Sequence, residues 1–134
     1  MTAIGTHKLS REQCATGLRA AAKILKLWQA SNDQACRVLR VSRATYRSVF
    51  GQGSRSAIRL DADQMQRIGI ILNMHSTLRT VFDNPENVYG FTAMANQNDF
   101  FYGRSPLEIM AQGDMISLYE TSRRIQALSG AQYD

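Results

Sequence analysis

The chain has 134 residues, 44% hydrophobic and 20% charged, a balance that fits one compact domain or two small lobes and excludes disordered and fibrous classes. No apolar run approaches the roughly 18 to 20 residues a membrane span requires, and the start, Met1 to Leu9, has no apolar core of signal-peptide type, so a cytoplasmic protein without a membrane partner is expected. Residues 1–60 carry eleven basic groups against two acids, Glu12 and Asp33, whereas residues 61–134 carry five against nine, so a balance of +9 gives way to −4. A front half of that sign suits a polyanion.

The predicted elements are all helical. Ser10 with Gln13 is a capping box, opening a helix in which Cys14, Leu18, Ala21, Leu25 and Trp28 share one face, with an end near Gln29. After the polar break Ser31-Asn32, residues Ala35, Val38 and Leu39 suggest a short second helix stopping around Arg40. Ser42 is the natural N-cap of a third, through about Phe50. The Gly/Ser-rich stretch Gly51 to Ser56 coincides with the change of charge sign and marks a boundary between lobes 1–58 and 59–134.

Asp61 and Gln64 form a second capping box, for a long helix whose Ile68, Ile71, Leu72, His75, Leu78 and Phe82 line one face up to the Asp83-Asn84-Pro85 turn. Asn84 and Pro85 cap a helix with Val88, Phe91 and Met94 or Ala95 on its apolar face. Asn96 to Asn98 reads as a loop. Ser105-Pro106-Leu107-Glu108 opens a short helix that stops at Gly113, and Asp114 opens a last one to Ser129, closed by Gly130. The fold class is all-α, with about seven helices.

Cys14 and Cys36 imply no disulfide framework, and with His7 and His75 they are too scattered for zinc, so neither a metal nor a cofactor is expected. His75 reads as a half-buried histidine of the apolar face. With no Ser/His/Asp order, paired carboxylate site, phosphate-cradling glycine motif or HExxH, the chain is not expected to be an enzyme.

Asp33 to Phe50 has the layout of a helix-turn-helix, with Val38 or Leu39, Val41 and Val49 clamping two helices across the turn Leu39-Arg40-Val41 and a small residue, Cys36, where they cross. The turn position usually held by glycine is Arg40, a residue for which positive φ is costly. Leu39 to Arg47 resembles the turn and recognition helix of bacterial helix-turn-helix regulators. Ser42, Arg43, Thr45, Tyr46 and Arg47 are the candidates for base or phosphate contact, with Arg37, Arg40 and Arg55 as backbone anchors.

The back half is aromatic and mildly acidic, and Phe100-Phe101-Tyr102 cannot all point inward from one short loop. Phe82 to Phe91, Asn96-Gln97-Asn98, the run Phe101-Tyr102-Gly103-Arg104-Ser105-Pro106-Leu107-Glu108, Gly113 and the stretch Arg123 to Gly130 resemble the toxin-binding domain of the Xre/MbcA/ParS antitoxins. With the front helix-turn-helix, the resemblance spans nearly the whole chain. It implies an antitoxin of a type II toxin-antitoxin system, a homodimer that blocks a RES-type, NAD-degrading toxin and represses its own operon by binding double-stranded operator DNA. Phe100, Phe101, Tyr102, Arg104, Arg123, Arg124, Tyr133 and Asp134 are the expected toxin contacts. Arg104 has a competing local role, a pair with Glu108, while Leu118 and Tyr119 are expected in the core. The alternative is a helix-turn-helix repressor whose back half serves dimerisation or a small ligand.

Overall fold

Helix ends in this chain are set by short polar side chains. In the computed structural model, which describes residues 10–51 and 58–130, α1 (Arg11–Leu27) starts at the reciprocal Ser10/Gln13 capping box and α2 (Asn32–Leu39) at an equivalent one between Ser31 and Gln34. The Ser42 hydroxyl accepts the Thr45 amide at the start of α3 (Arg43–Ser48), which ends two residues before Phe50. The third capping box, Asp61/Gln64, opens α4 (Ala62–Val81). Asn84 caps α5 (Pro85–Gly90), followed by a 3-10 turn over Phe91–Ala93. Ser105/Glu108 then open α6 (Pro106–Met110), and Asp114 opens α7 (Met115–Ala127). The fold is all-α, and no described residue lies in a strand.

α4 lies against α1, α2, α5 and α7. One hydrophobic cluster runs from Leu18, Leu25 and Trp28 of the α1 segment through Val38, Leu39, Tyr46 and Val49 to Ile68, Ile71, Met74 and Leu78 of α4, and on to Met110, Leu118 and Ile125. Burying each of the larger side chains contributes about 1.5–3 kcal/mol, so α4 is held from both halves of the chain. The change of charge at residues 51–56 is therefore a boundary in surface chemistry but not in the core. Residues 52–57 lie outside the described ones.

Three expectations about facing need correction, those for Leu72, for Met94 or Ala95, and for Tyr119, whereas His75 is half-buried as its place on the apolar face implies. On α4 the inward residues are Arg67, Ile68, Ile71, Met74, Thr77 and Leu78, while Leu72 is exposed, because α1 and α7 cover a face rotated away from it. His75 is half-buried and stacks on Tyr89 at 5.5 Å, with a buried Nδ1 that has no hydrogen-bond partner among the described residues; burial lowers its pKa, with Arg79 adding to the shift. Leu118 is core, but Tyr119 is exposed, as are Ile116 and Met94.

Among the described residues, no helix is long and apolar enough to cross a membrane.

Candidate nucleic-acid interface and partner-binding face

α2 ends on a left-handed residue, Arg40 (φ 58°, ψ 48°). The amides of Arg40 and Val41 both donate to the Cys36 carbonyl, the latter at 3.1 Å, which folds the chain back as a glycine-ended helix would. The position that suits glycine thus holds an arginine. Its conformation is maintained from outside the turn: the Arg40 guanidinium donates to Asp61 and Asp63, and the Gln64 side-chain amide donates to the Arg40 carbonyl at 2.8 Å. Val38, Leu39, Val41 and Val49 are all buried beneath this turn, clamping α2 to α3, and Cys36 is half-buried with its thiol pKa pushed up by burial.

The second turn of α4 joins this corner to the back half through Arg67, which is only 5% exposed. Its guanidinium donates to Asp63 at 2.9 Å, to the Val38 carbonyl at 3.1 Å and to the Gly113 carbonyl at 2.8 Å. Arg37 adds a bond from Nε to the Ala111 carbonyl at 2.8 Å. Gly113 has φ 98°, a backbone angle that disfavours any other residue, and a Cβ there would meet Arg37 only at ordinary contact distance, 3.8 and 3.9 Å. Asp61 and Asp63 titrate below the usual carboxylate range. For Asp61 the chief cause is the Gln64 amide, followed by Arg40; for Asp63 it is Arg40, followed by Arg67.

The proposed contact residues separate clearly on this scaffold. Arg43 and Arg47 are exposed on α3, with Ser42 exposed at its start and Thr45 partly so. Arg43 forms an ion pair with Asp33 of α2, and Arg47 has no ion pair among the described residues. Two expectations fail here. Tyr46 is 4% exposed, its ring edge-on to Phe50 at 5.2 Å and its pKa raised by burial, so it is a core residue and not a base contact. Arg40 is drawn to two carboxylates and braces the turn in place of a free phosphate anchor. Arg37, though exposed, is tied to Ala111 through one nitrogen. Arg55 lies outside the described residues.

In the back half, residues 96–104 form a closed loop. The Gly103 amide donates to the Asn96 carbonyl at 2.7 Å and the Asn96 amide to the Arg104 carbonyl at 3.1 Å, while the Phe101 and Tyr102 amides share the Asn98 carbonyl. Of the three consecutive aromatics, Phe101 is 2% exposed and belongs to the core, a correction to its assignment as a contact. Phe100 is half-buried, and Tyr102 is 77% exposed. Tyr102 and Gly103 both have positive φ, 52° and 86°, which turns the tyrosine outward. Phe100 is flanked edge-on by Phe101 at 5.0 Å and by the Arg124 guanidinium at 5.0 Å, which fixes the loop against α7. Arg123 and Arg124 are exposed and both lie near Glu120, at 3.8 and 3.9 Å. The competing local role, an Arg104–Glu108 pair, is not formed. Glu108 accepts the Ser105 amide instead, and Arg104 donates to the Phe101 carbonyl at 3.2 Å. Tyr133 and Asp134 lie outside the described residues.

Arg67 was not anticipated from the sequence, where it reads as one of the polar positions of a long amphipathic helix. Its i,i+4 spacing from Asp63 was the one available signal. Among the described residues, no three His, Cys, Asp or Glu side chains gather as metal ligands do.

Over 113 residues the chain is 29% identical to the uncharacterized protein y4oB of Sinorhizobium fredii (strain NBRC 101917 / NGR234), a match covering 84% of each chain. A similarity of that length takes in residues of both the basic and the acidic half. No family model matches the chain. No solved structure matches it either.

Proposed function

We propose that this chain is a DNA-binding antitoxin without catalytic activity of its own, acting in the cytoplasm as a homodimer. In this reading α2, the Arg40 turn and α3 form a helix-turn-helix that docks α3 in the major groove of its own operator. Loop 96–104 and α7 hold a toxin of the RES-type, NAD-degrading class. The carrying observation is the left-handed Arg40 turn, which buries Tyr46 and Val49 and leaves Arg43 and Arg47 outward on α3. The toxin-binding half rests on the resemblance of roughly residues 60–134 to Xre/MbcA/ParS antitoxins, and is supported by the solvent-facing Tyr102 and by Arg124 of α7, which lies over the Phe100 ring of the same loop.

Titration of a duplex from the region upstream of the gene tests the first half. Arg43→Ala and Arg47→Ala each weaken binding by about 1 to 3 kcal/mol if the arginine grips a guanine bidentately. Unchanged affinity in both variants removes α3 as the reading helix. Co-expression with the product of the adjacent reading frame tests the second half, the expected result being a co-purifying complex and preserved cellular NAD. A second reading, a repressor whose back half pairs with another copy of itself, is favoured by Ile116 and Tyr119, one turn apart and exposed on α7. DNA binding with no toxin complex selects it.

A further inference from the structure

We infer that α1 carries a second line of phosphate contacts, centred on Lys23 and Lys26, beside α3. The inference rests on the DNA-binding reading above and extends it to residues outside the α2–α3 pair.

Arg19, Lys23 and Lys26 recur at helical spacing and so share one face of α1, away from the buried Leu18, Ala22 and Leu25. Two of the three are fixed against the end of α3. Arg19 Nε donates to the Val49 carbonyl at 3.4 Å, and Lys26 Nζ lies 5.1 Å from the centre of the Phe50 ring. The Phe50 amide in turn donates to the Arg47 carbonyl at 3.1 Å, so this face of α1 adjoins the segment that presents Arg47. Lys23 lies between the two fixed residues, exposed and without an ion pair among the described residues.

Charge of one sign is what distinguishes this face from an ordinary solvated one. The acids of residues 1–60 are Glu12, about two turns before Arg19, and Asp33, which is occupied by Arg43. Asp61, the N-cap of α4, pairs with Arg40, and Asp63 with Arg40 and Arg67. From Arg19 to Lys26 the helix rises about 10 Å. One strand of duplex DNA presents a phosphate about every 3.4 Å along its axis, so a line of three cations over that length fits a single strand running past the groove that α3 enters. Lysine ammonium groups there neutralise charge and set register without reading sequence.

The test compares the full-length wild type with a Lys23→Gln/Lys26→Gln double variant, titrated at several salt concentrations on the operator duplex and on an unrelated duplex. The double variant should lose about 1.8 from the magnitude of the slope of log K against log salt, about 0.9 per phosphate, equally on both duplexes. The ratio of operator to unrelated affinity should hold. Lys23→Gln alone, which touches no ring, should lose about half as much slope, and Lys26→Arg should keep the wild-type slope. Wild-type slopes in a double variant with unchanged helicity overturn the α1 assignment while leaving the α3 reading intact. A collapse of the affinity ratio also overturns it, since that assigns the lysines to base reading or to support of α3. A wild type with no salt-dependent duplex binding overturns the DNA-binding reading itself, and the α1 line falls with it.

Discussion

Arg40 and Tyr102 have nearly the same positive φ, 58° and 52°, in the left-handed range that costs a residue bearing a Cβ about 1 to 2 kcal/mol. The side chains meet opposite ends. Arg40 is held by Asp61 and Asp63 while Gln64 holds its carbonyl, so the arginine is consumed in fixing the α2–α3 corner to α4. Tyr102 is held only through its backbone, by a loop whose ends are tied at Asn96, and its ring is left in solvent. Strain that is braced through the side chain fixes a scaffold, whereas strain braced through the backbone leaves a side chain free to meet something else. The front half therefore leaves neighbouring residues, Arg43 and Arg47, exposed, and the back half the strained residue itself.

The comparison is broken most readily at adjacent aromatics. Phe101→Ala should lower unfolding free energy by about 3 kcal/mol or more, read from urea denaturation, because the ring is buried. Tyr102→Ala should stay within about 0.5 kcal/mol of the wild type in the same measurement. In a titration against the proposed toxin, it should weaken the complex by about 2 kcal/mol if the ring is an anchor. Equal destabilisation by the two would erase the distinction between plug and free ring.

A smaller effect sharpens the backbone half of the argument. At each of positions 40 and 102, the glycine variant should be more stable than the alanine variant by about 1 kcal/mol, the cost of a Cβ at positive φ. Thermal melts of the four proteins check this. An alanine variant as stable as its glycine partner at either position would mean that the left-handed turn is not retained once the native side chain is gone.

The smallest expected effect is on pH dependence. The folded-state pKa values of Asp61 and Asp63 are depressed by the Gln64 amide, Arg40 and Arg67. Their stabilisation is therefore complete above the unfolded carboxylate range and is lost as pH falls through the folded values, from about pH 4 downward. An Asp61→Asn/Asp63→Asn variant should show a shallower loss of stability on acidification than the wild type, with little difference in slope above pH 6. A parallel acid limb would place the brace on Arg40 elsewhere.

What the sequence determined by itself was the set of helices and their ends. The Ser10/Gln13, Asp61/Gln64 and Ser105/Glu108 boxes, the Asn84-Pro85 start and the glycines at 113 and 130 act through hydrogen bonds and torsions within three or four residues, so spacing alone reveals them. The same box stands at Ser31/Gln34, within what looks locally like a polar break. The need for positive φ at Arg40 was also legible, from its place in the turn. Tertiary structure alone decided which of two neighbours faces inward: Tyr46 and not Arg47, Phe101 and not Tyr102, Leu118 and not Tyr119. It also decided that Arg67 is buried across three chain segments and that one core serves both charge halves. Those outcomes depend on elements tens of residues away arriving over a given face, and a local pattern holds no record of which face they cover.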